Sequence, residues 1–282
     1  SSVISGGIGT LSGPLHGGAN IIQKVVLASF IEELMRLRGV DSKNGLKITV
    51  SEYSVFEPIV SLGKDTLSLI PVREVRGLDW HDEIESNEKF EFILGDFPLA
   101  WYSHQDCNFG SVNLKRNKNW MEMLKSMKFI DENGAALYLV EPRCFSNDKG
   151  KRFEDALNSE GYFLNAILNA PVGILKPASS IDPVFALITK NKTNSLFLAD
   201  LLNTSQALEV AQNFHSEIIG NDLSNGMAVE ERGFYGFDNL KSVQKIEKLE
   251  IHYKSYEKFK IRELAKEINT AVFGATFKEK QN

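Results

Sequence analysis

The sequence predicts an α/β fold built on a doubly wound, mostly parallel sheet. Three observations lead there. Short β-branched or apolar runs alternate with longer segments of helical periodicity; several of those runs are almost unbroken in apolar character, as strands covered on both faces must be; and glycines or acids stand where successive runs end. A chain of 282 residues with 43% hydrophobic and 24% charged residues has the composition of a globular protein able to bury a sizeable core.

Each element follows in order. Ser2–Ser5 is a short β-prone stretch running into Gly6, Gly7 and Gly9. From Ala19 to Arg38 the residues Ile22, Val25, Val26, Phe30, Leu34 and Leu37 recur at helical spacing, and Gly39 is placed to stop the helix. Leu46–Ser51 reads as a buried strand ending at Glu52, with a second helix expected from Val55. Val72–Val75 is a third strand, running into Gly77-Leu78-Asp79, and Lys89–Leu94 is a fourth, running into Gly95-Asp96-Phe97-Pro98-Leu99. A helix over Trp120–Lys128, the turn Glu132-Asn133-Gly134 and a strand over Ala135–Val140 make the next cycle. Lys149–Ser159 is a helix, Phe163–Leu168 and Val184–Thr189 are strands, and Leu196–Ala199 is a short addition. Beyond Leu201 the texture changes to a helix over Ala207–Ile218, a Gly- and Asn-rich loop over Asn221–Asp238 and a charged helical region over Lys241–Ile268. The expected organisation is a domain over residues 1–200 and a helical and loop extension over residues 201–282. The glycine-rich opening and the charged close suggest a fragment of a larger chain.

A formal charge of -5 gives no global cationic field, so any affinity for nucleic acid needs a local basic face. Lys115, Arg116 and Lys118, with Arg143, Lys149, Lys151 and Arg152, are candidates for phosphate contacts, against the default of a solvated rim. The two cysteines, Cys107 and Cys144, form neither a disulfide framework nor a zinc motif, which points to a reducing cytoplasm. His81, His215 and His252 have no partners at metal-ligand spacing, and no metal site is expected. No apolar run is long enough to span a bilayer, and the start has no signal-peptide pattern.

In a doubly wound sheet, ligands sit at the carboxyl ends of the strands. Those ends carry, in order, Gly7 and Gly9, Glu52, Asp79, and Asp96-Phe97-Pro98-Leu99. Glycines let a ligand approach the backbone, one acid can accept from ribose hydroxyls, and another can accept from an adenine amino group. The set has the shape of an adenosine site, for S-adenosylmethionine or a nucleotide; loop glycines and solvated surface acids are the plain alternative.

The stretch Lys89–Leu99, KFEFILGDFPL, resembles the "KFDxIxxNPPF" segment of the γ-class N-6 adenine DNA methyltransferases, above all the M subunits of type I restriction-modification systems and the fused methyltransferase-restriction enzymes. The resemblance continues through Leu124–Pro142 and, in layout, through Gly150–Asp200; Tyr253–Phe273 looks like the approach to a DNA-recognition module. It implies a Rossmann-like S-adenosylmethionine-dependent methyltransferase fold, with Gly7, Gly9, Glu52 and Asp79 binding S-adenosylmethionine. Asp96, Phe97, Pro98 and Leu99 would then be the catalytic tetrapeptide, methylating a flipped adenine in DNA. The implied partners are DNA and restriction-modification subunits in the cytoplasm, with no membrane. Two departures stand out. The glycine loop lacks the family's preceding Asp-Pro, and Asp96-Phe97-Pro98-Leu99 keeps only the first and third positions of Asn/Asp-Pro-Pro-aromatic. Leu99 has no ring on which a base could stack, and Trp101 or Tyr102 could stand in for it. A weakened or inactive site, serving as a non-catalytic scaffold in a DNA-defence assembly, is therefore the alternative. A further local match, Ser12–Asn20, resembles the "GPLHGGAN" loop of citrate synthases, with His16 polarising a carbonyl; the strand-helix alternation that follows does not suit that nearly all-helical fold.

Overall fold

The computed structural model describes residues 18–40, 46–52, 69, 72–77, 89–96, 99, 102–145, 148–175, 181–218 and 221–229. The expected strand at Ser2–Ser5, the helix from Val55 and everything after Val229 lie outside the described residues. So do residues 12–17 of the citrate synthase-like match, whose last three residues, Gly18, Ala19 and Asn20, instead open a helix, and the Tyr253–Phe273 segment.

Four helices and eleven strands follow in chain order among the described residues. The helices are α1 (Gly18–Leu37), α2 (Lys118–Met127), α3 (Asp148–Ser159) and α4 (Thr204–His215). The strands are β1 (Leu46–Glu52), β2 (Val72–Gly77), β3 (Phe90–Asp96), β4 (Asn108–Phe109), β5 (Val112–Asn113), β6 (Ile130–Val140), β7 (Phe163–Asn169), β8 (Val184–Thr189), β9 (Leu196–Asp200), β10 (Asn221–Asp222) and β11 (Gly226–Val229). Nine of the strands form one sheet in the order β10-β11-β9-β7-β8-β6-β3-β1-β2, and β4 pairs with β5 in a separate hairpin.

The class is α/β, as expected, but "mostly parallel" needs correction, because the sheet is mixed. The β1, β2, β3 and β6 pairings are parallel, as is β7 with β9, whereas β8 runs antiparallel between β6 and β7 and β11 runs antiparallel to β9. A parallel partner needs a long crossover, while an antiparallel neighbour can follow a short connection. From β8 the chain reaches β9 by a short arch at Lys190–Ser195. Asn165 holds that arch from inside: its Nδ2 donates to Thr189 Oγ1 (2.8 Å) and the Asn191 carbonyl (2.6 Å), while its Oδ1 accepts from the Thr193 amide (3.2 Å).

The sequence explains the helix ends. At α1, Gly39 takes a positive φ of 77° and the Val40 amide bonds back to the Met35 carbonyl at 3.1 Å, a Schellman stop. Gly161, at φ 76°, ends α3 in the same way. At the start of α4, Asn203 Oδ1 accepts from the Gln206 amide while Gln206 Oε1 accepts from the Leu202 amide. The turn expected at Glu132-Asn133-Gly134 is absorbed into β6 as an irregularity, with Phe90 opposite Ile130 but Phe92 opposite Ala135. Arg38, at the end of α1, donates to the Asn133 and Gly134 carbonyls there, and its burial lowers the guanidinium pKa from the ordinary value.

Strand alternation divides the core in two. Phe92, Leu94, Leu137, Leu139, Phe185 and Phe197 pack with α1 and α4, whereas Ile93, Ala136, Tyr138, Ala186 and Ile188 pack on the face of Trp120, Met123 and Phe153 from α2 and α3. Ile22, part of the helical stripe in the sequence, is 66% exposed. Although the boundary is expected after Asp200, α4 packs beside α1 and β11 extends the sheet beside β9, so the segment through Val229 shares the same core. The chain divides into compact units at Ser1–Ser242 and Val243–Asn282, and every described residue belongs to the first.

One seam carries a tight steric constraint. Gly95 on β3 lies opposite Tyr138 on β6, and a Cβ at position 95 would stand 2.2 Å from Tyr138 Cδ1. Tyr138 is fully buried; its hydroxyl bonds Ser126 Oγ and lies 3.4 Å from Met127 Sδ, both on α2, and burial raises the phenol's pKa above its ordinary value. Gly95→Ala should destabilise the fold by about 1–3 kcal/mol, and in a Tyr138→Ala background the same change should cost little. Thermal denaturation of the four proteins reads that coupling; equal costs in both backgrounds would contradict it.

Candidate functional site

The chain leaves β1 for β2 on one side and returns through β3 on the other, so strand order reverses at β1. Open α/β sheets bind ligands outside the carboxyl ends of the strands at such a reversal. At those ends Glu52 is in register with Asp96, and Asp96 with Leu139 on β6. In-register neighbours sit about 4.8 Å apart across the sheet. Two of the residues expected to form the site, one for cofactor and one for catalysis, therefore end adjacent strands.

The strand count from sequence places Glu52 on the second strand, behind a glycine loop. In the structure β1 is bonded directly to β2 on one side and β3 on the other, so no further strand separates Glu52 from Asp96. Gly7, Gly9, Asp79, Phe97 and Pro98 lie outside the described residues; Leu99 is a half-buried turn residue.

The next parallel strand, β6, delivers Glu141 and Pro142 to the same edge, Pro142 opening a short 3-10 turn through Phe145. Glu141 receives a hydrogen bond at 3.3 Å from the hydroxyl of Tyr102, a residue that is 51% exposed. Sequence reasoning finds Tyr102 only as a nearby aromatic and does not single out Glu141, because their contact joins residues 39 positions apart.

Tyr102 opens a lobe made by residues 102–117. It forms an antiparallel bridge with Asn117, and inside the lobe Ser103 bonds Arg116, Cys107 bonds Lys115 and Leu114 bonds Cys107 through the backbone. At the lobe's far end β4 and β5 meet across Gly110, at φ 56°. Lys115 adopts a left-handed φ of 58°, unusual for a residue with a side chain, and its amide donates to Asn113 Oδ1 at 2.6 Å. Lys115 and Arg116 are exposed. Arg152 of α3 donates to the Asn113 carbonyl at 3.4 Å, so α3, which also carries the exposed Lys151, lies beside the lobe. The structure thus brings together four of the basic residues proposed from sequence: Lys115, Arg116, Lys151 and Arg152. The side chains of Arg143 and Lys149 are not among those described.

Among the described residues no group of three His, Cys, Asp or Glu side chains could hold a metal ion, and no helix is long and apolar enough to cross a membrane. His215 is exposed at the end of α4 and Cys107 is a half-buried free thiol.

No protein-family model and no curated protein matches this sequence. Among solved structures, the chain is similar to the type I restriction-modification methyltransferase subunit from Streptococcus thermophilus, with 13% identity, a TM-score of 0.44, and 71% of this chain and 52% of that one covered. A protein assigned as a type I modification subunit from Vibrio vulnificus gives 12% identity and a TM-score of 0.45 over 73% of this chain and 54% of that one. One assigned to the class I S-adenosylmethionine-dependent methyltransferases, from Listeria monocytogenes, gives 14% and 0.46 over 66% and 69%. The chain spans about half the length of the two type I subunits. At these identities no residue's role passes from one chain to another.

Asn117 joins the lobe to the core, since its side-chain Oδ1 also caps α2 by accepting from the Trp120 amide at 3.1 Å. Asn117→Ala should cost about 1 kcal/mol of stability, whereas Asn117→Asp should cost less because it keeps the accepting oxygen. Denaturant titration distinguishes the two, and equal losses would remove the cap from the account.

Proposed function

We propose that this chain is the methyltransferase-like domain of a restriction-modification assembly, binding S-adenosylmethionine at the carboxyl ends of β1 and β3 and acting on adenine in DNA. The observation that carries the reading is the register of Glu52 with Asp96 at the point where strand order reverses. Both residues are acids, and acids at adjoining strand ends suit a ligand that carries positive charge. S-adenosylmethionine suits the pair chemically, since it carries a sulfonium and an ammonium group, and when bound it supplies an electrophilic methyl. Glu52 would hold the donor through its ribose hydroxyls or its ammonium group. Gly7, Gly9 and Asp79 complete the donor site as sequence expectations.

Asp96 would take the acceptor side. A side-chain oxygen at position 96 and the backbone carbonyl at 97 can each accept one N–H of adenine's exocyclic amine, leaving its lone pair directed at the methyl group. Phe97 in place of proline forgoes a stiff turn at the second acceptor, and Leu99 forgoes an aromatic face. These departures favour, as a second reading, a domain that binds without transferring.

Calorimetry with S-adenosylhomocysteine and methyl transfer from a labelled donor to duplex DNA test both readings. Glu52→Ala should weaken S-adenosylhomocysteine binding by about 1.5–3 kcal/mol with little change in melting temperature. Phe97→Pro combined with Leu99→Phe should raise transfer, and adding Asp96→Ala should abolish the gain. Binding with no transfer in any variant supports the scaffold; no binding by the parent ends the methyltransferase reading.

The basic lobe supplies the expected DNA contact. Replacing Lys115 and Arg116 by Glu should weaken duplex binding similarly across sequences and reduce the slope of log K against log salt by about one for each phosphate no longer neutralised. An unchanged slope in filter-binding titrations would return both residues to the solvated rim.

A further inference from the structure

The sequence holds three Asn-Gly pairs, and two of them lie among the described residues: Asn133-Gly134 and Asn225-Gly226. Asparagine followed by glycine is the pair most open to attack by the next backbone nitrogen on the carboxamide, because a residue without Cβ leaves the approach unhindered. Asn133 stands in the irregular stretch of β6. Phe90 is opposite Ile130 and Phe92 opposite Ala135, so the register with β3 passes over Asp131–Gly134, and pairing with β8 begins only at Ala136. Asn133 is exposed, and among the described residues its carboxamide is held by no hydrogen bond. The residues before it are held: the Glu132 amide donates to Asp131 Oδ1 at 2.7 Å, and Glu132 Oε2 accepts from Lys190 Nζ at 2.9 Å.

The backbone carbonyl of Asn133 sets this pair apart from the other. Arg38 Nε donates to it at 2.9 Å and Nη2 donates to the Gly134 carbonyl at 3.2 Å, so a guanidinium sits on the peptide group that joins the two residues. Arginine stays charged in a folded protein. A cation on the carbonyl oxygen draws electron density from the peptide nitrogen and stabilises the anion that this nitrogen becomes on losing its proton. The Asn225 carbonyl accepts instead from Asn213 Nδ2, a neutral amide, at 2.7 Å. Asn225 is likewise exposed, and Gly134 and Gly226 are both buried, so the two sites match in exposure and differ in the charge of that donor.

We propose that Asn133-Gly134 is a site of self-modification, at which Arg38 speeds the conversion of Asn133 to aspartate and isoaspartate. The Gly134 nitrogen, having given up its proton, bonds to Asn133 Cγ; the Cγ–Nδ2 bond breaks, and Nδ2 leaves as ammonia with that proton. The resulting succinimide takes up water. Opening at Cγ gives aspartate and opening at the backbone carbonyl gives isoaspartate, with no change of oxidation state in either branch. The isoaspartyl product lengthens the backbone by a methylene beside a confined position, since a Cβ on Gly134 would stand 3.0 Å from the Glu91 carbonyl oxygen and 3.1 Å from the Asp131 nitrogen. It thereby loosens the tie between α1 and β6. The pair lies near the start of β6, so its chemistry does not depend on what the carboxyl ends of the strands bind.

The full chain is incubated folded at neutral pH and, in parallel, unfolded in guanidinium chloride. Tryptic peptides spanning residues 129–143 and 193–232 are followed by chromatography and mass spectrometry, which read the exchange of NH2 for OH and separate aspartyl from isoaspartyl forms. The folded parent should convert Asn133 severalfold faster than Asn225, and unfolding should bring the two rates together. Arg38→Gln, which keeps a neutral donor, should lower the Asn133 rate to that of Asn225, whereas Arg38→Lys should keep Asn133 ahead. Chains carrying isoaspartate at 133 should melt below the parent. Hydrogen exchange over residues 129–143 shows whether a variant has opened the irregular stretch. Where Arg38→Gln does so, Arg38→Lys carries the test, and equal rates at Asn133 and Asn225 in that variant overturn the role of Arg38. Equal rates in the folded parent overturn the proposal outright, as does an Arg38→Gln chain that converts Asn133 as fast as the parent with hydrogen exchange unchanged.

Discussion

The contact between Gly95 and the ring of Tyr138 sets the seam on which the site depends. Only a residue without Cβ lets that ring lie across β3, and the pairing of Gly95 with Tyr138 places Asp96 opposite Leu139. A slip of one residue would move every apolar side chain of β3 to the opposite face, setting Ile93 among the residues of α1 and Phe92 among those of α2. Register here is therefore enforced twice, by the absence of a Cβ and by the two separate cores.

From that seam a closed circuit of contacts runs outward and returns. Tyr138 reaches Ser126 on α2; α2 is capped by Asn117; Asn117 bridges Tyr102; and Tyr102 returns to Glu141, just past the end of the strand that carries Tyr138. A loop excursion between a strand and a helix is ordinarily the least constrained part of an α/β unit. Here it is pinned at its start, at its end and, through Arg152 and Asn113, along its side. Preorganisation of this kind places a half-exposed ring and two exposed cations at the sheet's carboxyl edge without relying on a ligand to arrange them.

The sheet also changes direction along its width. On the β1–β3 side it is parallel; beyond β6 the antiparallel β8 interrupts the run, and Asn165 holds the arch that leads from β8 to β9. The same edge continues to Asn169 and Asp200, whose side chains hydrogen-bond at the ends of β7 and β9. Those polar groups satisfy one another.

Local physics is legible in the sequence. Apolar runs such as Val184–Thr189 give buried strands, and Gly39 and Gly161 stop helices because each takes a positive φ that other residues avoid. The Gly- and Asn-rich stretch from Asn221 reads as loop and instead forms the β10–β11 hairpin, because pairing with β9, and not local propensity, makes it a strand. Strand order is likewise beyond periodicity: a period of two says that Leu46–Glu52 is a strand but not which strands flank it, so a count along the chain cannot tell that Glu52 ends the strand at the reversal point. The sequence alone determined that Glu52 and Asp96 end strands. Only the tertiary structure decided that they end neighbouring ones and that Tyr102 meets Glu141, because those relations are made by hydrogen bonds between segments far apart in the chain, which no local pattern encodes.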